Sequence, residues 1–185
     1  MSLKLNLGCG KNPMPGYVNV DKYGTPDVRH DLEAFPWPWE TSSVEEVVLN
    51  HVMEHLGQSS DVFLEIMKEL YRVCAPGAAV RIWVPHPRSD DFLNDPTHVR
   101  PITPEVLSLF SKKKNESWIR QGGANSPLAL FLDVDFEIRE ANFVLNEPWS
   151  SQLSGKRISE AELDNAVARY NNVVKEIRLV LAVVK

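Results

Sequence analysis

Two glycines and an acidic residue near the start of the sequence form its most informative pattern. The alternating Leu3, Leu5 and Leu7 predict a short strand, and Gly8-Cys9-Gly10 follows it directly. Glycines at the carboxyl end of a strand permit a tight turn and let a ligand approach the backbone closely. Asp21 ends the next predicted strand, where a carboxylate can accept hydrogen bonds from both hydroxyls of a ribose. The pattern therefore predicts a nucleoside-binding site across the ends of two neighbouring strands.

The same segment argues against a dinucleotide. A dinucleotide-binding fingerprint needs a third glycine that opens a helix for the pyrophosphate, and Pro13 stands at that position. The acidic residue of that fingerprint should also come about 20 residues further on, whereas Asp21 follows Gly8 too soon. A ligand with a ribose and no pyrophosphate fits these residues better.

Histidines form a second pattern. His51-Val52-Met53-Glu54-His55 matches the H-x-x-E-H motif of one class of zinc peptidases. A peptidase would need this motif within a helix and a third protein ligand, whereas here the motif directly follows an apolar run typical of a strand. We therefore disfavour a peptidase.

Two further histidines, His86 and His98, lie in proline-rich segments. Each is a candidate for a base near neutral pH. The alternative role for each is a hydrogen bond to the backbone of its loop.

The elements that would position these residues alternate between strands and helices. The clearest helix covers residues 61–74, and Pro76-Gly77 is expected to end it. Thr103-Pro104 predicts a second helix start, and Ser159 with Glu162 predicts a capping box for a helix that runs to about residue 170. The predicted strands cover residues 3–7, 17–21, 27–32, 44–49, 78–84, 135–145 and 173–185. This alternation predicts an α/β sheet of mostly parallel strands with a central last strand, and it places Trp83 in the core.

The composition fits one globular domain and narrows the range of partners. The chain has 185 residues, a net charge of −5 and a pI of about 5.6. An acidic chain disfavours nucleic acid, which requires a basic face. The apolar run Leu179–Val184 is too short to span a membrane, and the first residues predict a strand rather than a signal peptide. Cys9 and Cys74 have no metal or disulfide spacing, so we expect a cytoplasmic location. No pattern points to a particular oligomeric state.

Four segments resemble, in order, the motifs of class I S-adenosylmethionine-dependent methyltransferases. They are Leu5–Gly10, Gly16–Asp21, His30–Leu32 and Asn50–Leu56. The chain is most similar to the small, compact type that is often described only as a predicted methyltransferase, over roughly residues 3–110. The resemblance implies a Rossmann-like, mostly parallel seven-stranded sheet with helices on both faces and an antiparallel last strand. Residues 1–185 would form a single domain, in which residues 86–126 are a variable segment that covers the substrate.

The resemblance also implies roles for individual residues around S-adenosylmethionine as the cofactor. The residues implied are Leu7, Gly8, Cys9 and Gly10 under the methionine part, Asp21 and Lys22 at the ribose, Asp31 and Leu32 at the adenine, and Asn50 and His51 at the methionine part or the substrate. His86 and His98 would be the catalytic residues that face the acceptor.

The implied function is methyl transfer to an oxygen or nitrogen of a small-molecule or sugar acceptor, and two alternatives stay open. The chain would be a non-catalytic nucleoside-binding module if its acceptor site were lost. A further similarity, to RNA ribose methyltransferases that bind a divalent ion, implies a metal-assisted enzyme with His51, Glu54, His55 and His86 as ligands. Without a metal, which is our first expectation, Glu54 and His55 would cap or pack a short helix.

The chain departs from the family pattern around the first turn. Asn6 stands where the family usually has an acidic residue, and Asn12 where a third glycine is common. Only Lys11–Tyr17 separates the turn from the second strand, which is too short for the helix of a βαβ unit. We expect an ordered loop stiffened by Pro13 and Pro15, and a cofactor site more open than usual.

Overall fold

The computed structural model describes residues 3–185, which fold around a seven-stranded sheet. The strands are β1 (Leu3–Leu7), β2 (Val18–Asp21), β3 (Val28–Arg29), β4 (Val44–Asn50), β5 (Cys74–Pro85), β6 (Phe136–Leu145) and β7 (Val174–Val183). Their order across the sheet is β3-β2-β1-β4-β5-β7-β6. Strands β1 to β5 pair in parallel, and β7 is antiparallel to both of its neighbours. The prediction of a Rossmann-like, mostly parallel seven-stranded sheet with an antiparallel last strand is confirmed.

The helices around the sheet all follow β4 within the described residues. A single 3₁₀ turn, Met53–His55, comes first, and the α-helices are α1 (Ser60–Val73), α2 (Asp90–Leu93), α3 (Pro104–Ser108), α4 (Lys112–Arg120), α5 (Leu128–Leu132), α6 (Trp149–Ser154) and α7 (Glu160–Arg169). None of the helices in residues 3–185 is long and apolar enough to cross a membrane. Met1 and Ser2, part of the N-terminal segment expected to lead into the first strand, lie outside the described residues.

Helix α1 begins close to the predicted position and ends before the predicted stop at Pro76-Gly77. The Ser59 hydroxyl accepts a hydrogen bond from the Val62 amide, which caps the first turn. Apolar residues on one side of α1, such as Phe63 and Leu70, are buried in one cluster with the inner residues of the sheet. The prediction that Pro76-Gly77 ends the helix is wrong. The helix ends at Val73, because Cys74 is already extended and pairs with β4, so Pro76-Gly77 lies within β5.

The predicted starts of two later helices are present. The Thr103 hydroxyl accepts a hydrogen bond from the Val106 amide and caps α3, with Pro104 as its first residue. Ser159 and Glu162 form the reciprocal capping box at the start of α7. Local side-chain patterns therefore fix where these helices begin.

The connection from β1 to β2 is a loop in place of the usual helix, as expected. The buried Asn6 side chain donates hydrogen bonds to the Asn12 carbonyl (3.1 Å) and to Asn19 Oδ1 (2.9 Å). Asn19 Oδ1 also accepts a hydrogen bond from the Met14 amide at 2.7 Å. An amide can donate and accept at once, whereas a carboxylate can only accept. Asn6, which stands where the family usually has an acidic residue, therefore holds this loop against the sheet through the two hydrogen bonds that it donates.

One face of the sheet near β1 carries charges rather than a helix. Glu46 on β4 binds Lys4 on β1 (2.9 Å) and Arg81 on β5 (2.7 Å). Burial opposes ionisation of the Glu46 carboxyl, but the hydrogen bonds from Arg81 and Lys4 outweigh it and lower the pKa of Glu46 to about 2. The adjacent residues on each strand, such as Leu5, point to the opposite face and are buried.

Candidate functional site

The carboxyl ends of β1 to β4 surround a pocket, which we call the edge pocket. It lies where ligands bind in open α/β sheets. The residues that line it are Gly8, Asp21, Lys22, Tyr23, His30, Asp31, Leu32, Glu33, His51, Val52, His55 and Leu56. Five of the residues implied by the resemblance for the cofactor's ribose, adenine and turn are thus brought together here: Gly8, Asp21, Lys22, Asp31 and Leu32.

Asp21 is held rigidly at the end of β2. Its Oδ2 accepts a hydrogen bond from the Gly10 amide (2.8 Å), and its Oδ1 accepts one from the Tyr23 amide (2.8 Å). Each carboxylate oxygen has two lone pairs, so both keep capacity for a further donor. The carboxylate is therefore pre-oriented for two neighbouring hydroxyl groups in the edge pocket.

Asp31 and Leu32 also line the edge pocket. Asp31 Oδ1 accepts a hydrogen bond from the Glu33 amide (3.1 Å), and Lys22 Nζ lies 3.6 Å from its Oδ2. Both partners of this ion pair are about half exposed, so it is screened by solvent and contributes little to stability. Leu32 is buried and supplies an apolar wall. A flat aromatic ring with polar edges could therefore pack against Leu32 and donate a hydrogen bond to the Asp31 carboxylate.

The glycine turn brings the backbone close to a second element. Gly8 has φ 68°, and a Cβ atom there would lie 2.5 Å from Val52 Cγ2. Only glycine therefore fits between β1 and the segment after β4. The Cys9 amide donates to the Val20 carbonyl (3.0 Å). Burial and the Asp21 carboxylate raise the pKa of the Cys9 thiol, so it stays protonated near neutral pH.

A second pocket, the turn pocket, adjoins the edge pocket. Its lining residues are Asn6, Gly8, Cys9, Gly10, Asn12, Met14, Asn50, His51 and Trp83. Gly8 and His51 line both pockets, so the two adjoin at these residues. Leu7, implied with the same turn, is fully buried and lines neither pocket, so its side chain belongs to the core.

Trp83 corrects the expectation that it lies in the core. It is partly exposed, lines the turn pocket, and lies with its ring centroid 5.6 Å from the Arg178 guanidinium. Its face of the sheet is open because the connection from β1 to β2 is too short to place a helix over it. The short connection is visible in the sequence, and it could have been used to predict that Trp83 is exposed near the site.

His51 occupies a strained position at the junction of the two pockets. Its φ is 54°, which is uncommon for a residue with a side chain. Its Nε2 donates to Glu176 Oε2 (2.9 Å), and its Nδ1 lies 3.4 Å from Glu54 Oε1. The Glu54 carboxylate raises the pKa of His51, partial burial opposes this, and Glu176 raises it further.

His86 and His98, predicted to face the acceptor, line neither pocket. His86 Nδ1 accepts a hydrogen bond from the Arg88 amide (3.1 Å), and burial together with Arg88 lowers the pKa of His86. His98 is nearly buried, and its Nδ1 donates to the Phe92 carbonyl (3.0 Å). Both therefore make the backbone hydrogen bonds that were the alternative prediction.

His98 instead joins Glu54 and His55 in what we call the histidine cluster. One potential ligand atom from each of these three side chains lies within 4.8 Å of the other two. The Val99 amide donates to the Glu54 carbonyl (2.9 Å), which ties the loop that carries His98 to the 3₁₀ turn. His86, placed with Glu54 and His55 in the ligand set that the resemblance implied, is not part of this group. The loop that carries His98 thus stands beside Glu54 through a backbone contact between residues distant in sequence.

The helices α6 and α7 lie at the same edge of the sheet as the site, a location that the sequence analysis did not predict. They connect β6 to β7 at the carboxyl edge of the sheet. The Arg88 guanidinium donates to the carbonyls of Val167 (3.1 Å) and Ala168 (2.7 Å), so the end of α7 contacts the segment after β5. The segment at residues 86–126 therefore packs against a second insertion beside the same edge.

Comparison with solved structures identifies the class of fold. A S-adenosylmethionine-dependent methyltransferase from Archaeoglobus fulgidus aligns with a TM-score of 0.62 and 18% identity, over 97% of this chain and 85% of that chain. The Burkholderia thailandensis 1,6-didemethyltoxoflavin-N1-methyltransferase, solved with 1,6-didemethyltoxoflavin and S-adenosylhomocysteine, aligns with a TM-score of 0.55 and 10% identity, over 99% and 71%. The cyclase SpnF aligns with a TM-score of 0.53 and 14% identity, over 98% and 75%.

The chain therefore has the fold of the class I S-adenosylmethionine-dependent methyltransferases. At these identities the likeness concerns the fold alone. No protein-family model matches the sequence, and no curated protein is similar enough in sequence to count as a relative.

Proposed function

We propose that this protein is a methyltransferase that binds S-adenosylmethionine across the edge pocket and the turn pocket. The observation that carries the proposal is the Asp21 carboxylate, oriented by two backbone amides beside the Gly8–Gly10 turn. The fold supports it, because the A. fulgidus protein is a S-adenosylmethionine-dependent methyltransferase and the B. thailandensis enzyme was solved with S-adenosylhomocysteine. The proposed binding mode is supported by the adjacency of the two pockets, which share Gly8 and His51 in their walls.

In this mode the adenosine part occupies the edge pocket and the methionine part occupies the turn pocket. Asp21 accepts hydrogen bonds from both ribose hydroxyls with Lys22 beside it, while Asp31 and Leu32 border the adenine. The residues proposed for the methionine part are Gly8, Cys9, Gly10, Asn50 and His51, with Leu7 contributing its backbone only.

The reaction proposed is displacement at the sulfonium methyl group by an oxygen or nitrogen of a small-molecule or sugar acceptor. The cofactor supplies the reactive carbon, and the protein aligns the acceptor and excludes water. The net charge of −5 supports a small acceptor over nucleic acid. Cys9 and Cys74 are both buried and free, which supports a reducing cytoplasmic compartment.

His86 and His98 are proposed to serve the acceptor side in different ways. Because His86 Nδ1 accepts from the Arg88 amide, its neutral ring carries the proton on Nε2 and can donate to an acceptor oxygen. Because His98 Nδ1 donates to the Phe92 carbonyl, its Nε2 keeps a lone pair. His86 is therefore the proposed orienting group, and His98 is the proposed base in the protein without a metal ion at its Nε2.

The test of cofactor binding is calorimetric titration of S-adenosylmethionine into the wild type and Asp21→Ala. Loss of two charge-assisted hydrogen bonds should weaken binding roughly 30- to 100-fold. Asp164→Ala, at an exposed position on α7, is the matched control and should bind as the wild type does. If Asp21→Ala binds S-adenosylmethionine as tightly as the wild type, the cofactor site is wrong.

A second candidate is a binding module without methyl transfer. The cyclase SpnF has the same fold, so the fold is compatible with other chemistry. Incubation with S-adenosylmethionine and a panel of hydroxyl and amine acceptors, sugars included, separates the two candidates. Formation of S-adenosylhomocysteine that depends on an acceptor supports the enzyme, whereas binding without turnover across the panel favours the module.

A further inference from the structure

We propose that Glu54, His55 and His98 form a binding site for one divalent metal ion of the Zn²⁺ type, at the wall of the edge pocket. The site does not depend on the cofactor assignment, because none of these residues is among those proposed to hold S-adenosylmethionine. His55 also lines the edge pocket, so the ion would lie beside the ligand that binds there.

The first observation is the environment of Glu54. Its side chain is only 1% exposed, and neither carboxylate oxygen has a hydrogen-bond partner among residues 3–185. A buried carboxylate without partners is costly, and a cation is the usual compensation. Arg100 does not provide it, because its guanidinium donates to the Gly57 carbonyl (2.8 Å) and lies over the Phe63 ring. His51 Nδ1, at 3.4 Å, stands too far from Oε1 for a good hydrogen bond.

The second observation is the orientation of the two histidines. His98 Nδ1 donates to the Phe92 carbonyl, so its Nε2 keeps a lone pair. The Thr97 hydroxyl donates to Asp95 Oδ1 (2.6 Å), so it must accept the hydrogen bond from His55 Nδ1 (2.9 Å), and His55 Nε2 also keeps a lone pair. Metal-binding histidines are commonly fixed in this way, with the second ring nitrogen donating to an oxygen of the protein.

The third observation is the donor set itself. Two imidazole nitrogens and one carboxylate suit borderline divalent ions such as Zn²⁺. Three protein ligands leave coordination positions open, which is the arrangement of catalytic rather than structural zinc sites. The ligand atoms already lie within 4.8 Å of one another, so small side-chain adjustments would close them around an ion.

The experiment is titration of the folded, chelator-treated protein with ZnCl₂, without S-adenosylmethionine. The wild type should bind one ion per chain and gain thermal stability by mass action. Glu54→Gln and His98→Gln should each weaken binding by at least about tenfold. His86→Gln is the matched control, since it removes a histidine outside the cluster, and it should bind Zn²⁺ as the wild type does.

Two readouts keep the result interpretable. Circular dichroism checks that each variant is folded, and Co²⁺ substituted into the wild type reports imidazole and carboxylate coordination through its visible absorption. If Glu54 serves only to hold His51, Zn²⁺ will not bind and Glu54→Gln will lower the melting temperature of the metal-free protein, which overturns the site. Binding lost in His86→Gln and kept in His98→Gln also overturns it. A failure of S-adenosylmethionine binding leaves these measurements unchanged, so the two proposals fail separately.

Discussion

The two sides of the edge pocket are assembled in different ways. On the side proposed to bind the nucleoside, which we call the nucleoside side, the backbone amides of Gly10 and Tyr23 orient Asp21. On the histidine side, Glu54 and His98 come from distant parts of the sequence and meet through the hydrogen bond from the Val99 amide to the Glu54 carbonyl. The first side is preformed by short-range chain geometry, whereas the second depends on a backbone contact between segments distant in sequence. We therefore expect substitutions in the histidine side to leave the structure of the nucleoside side unchanged. Substitutions in the nucleoside side should likewise leave the histidine side unchanged.

Gly8→Ala gives the largest expected effect, because Gly8 packs against Val52, which directly precedes the 3₁₀ turn that carries Glu54 and His55. Its positive φ and the 2.5 Å approach of a new Cβ to Val52 should lower the free energy of unfolding by about 2–4 kcal/mol. S-adenosylmethionine affinity should fall too, since Val52 lines the edge pocket. Urea unfolding and calorimetry measure both quantities.

Gly10→Ala is the control for this change. Gly10 also has a positive φ, but no atom of the described residues lies within 4 Å of the added Cβ. It should cost only about 1 kcal/mol. Equal losses for the two variants would mean that backbone conformation, and not the contact with Val52, couples the two sides.

Asn6→Asp tests the loop that borders the nucleoside side. A buried carboxylate at this position would face two oxygen acceptors and lose both donated hydrogen bonds, which should cost about 2 kcal/mol at pH 7. This setting favours the protonated acid, so the deficit should shrink as pH falls. Asn6→Ala should show a deficit that does not change with pH, and the same flat profile for Asn6→Asp would contradict the donor role of the amide.

Glu46→Gln is a reference variant, because Glu46 lines neither the edge pocket nor the turn pocket. The pKa of Glu46 is lowered from 4.5 to about 2, so its contribution to stability is fully present above pH 4.5 and is lost as pH falls toward 2. Since Lys4 and Arg81 are partly exposed, solvent screening reduces the effect, and we expect about 1–2 kcal/mol at pH 7. The difference from the wild type in chemical unfolding should close between pH 4.5 and 2, and ligand affinities should not change at pH 7. A constant gap across that range would refute the role of the ion pairs.

Arg100→Met should have the smallest effect and act on the histidine side alone. It removes the hydrogen bond to the Gly57 carbonyl and the contact with the Phe63 ring, at a cost of about 1 kcal/mol. Hydrogen exchange should accelerate at the Val99 and Arg100 amides, both of which donate to Glu54. Exchange at the Gly10 amide should stay slow, and its acceleration would show that the two sides are not independent.

The sequence predicts the chain geometry around Asp21 well because its determinants are close together along the chain. The turn at Gly8, the carboxylate at Asp21 and the loop in place of the first helix all follow from short-range patterns, and the structure has each of them. The end of α1 was misplaced because the pairing of Cys74 with β4 takes precedence over the local stop signal at Pro76-Gly77.

The histidine side was harder to predict because its partners are chosen by tertiary contacts. His86 and His98 both have prolines as neighbours in the sequence. The local sequence therefore does not indicate which of the two lies beside Glu54. In the structure, the loop after β5 carries His98 to Glu54, where the Val99 amide donates to the Glu54 carbonyl. The position of α6 and α7 beside the edge likewise depends on Arg88, which contacts carbonyls far along the chain.

The place of β7 between β5 and β6 also has a consequence for the order of events during synthesis. Strand β6 pairs with β7, so it has no place in the sheet until residue 183 has left the ribosome. The nascent chain can form the β1–β5 layer and α1 earlier, while β5 keeps one unpaired border. Completion of the sheet thus requires that a long loop close once β7 has been synthesised. Until then the unpaired border of β5 is the part of the nascent chain that a chaperone would need to shield from aggregation.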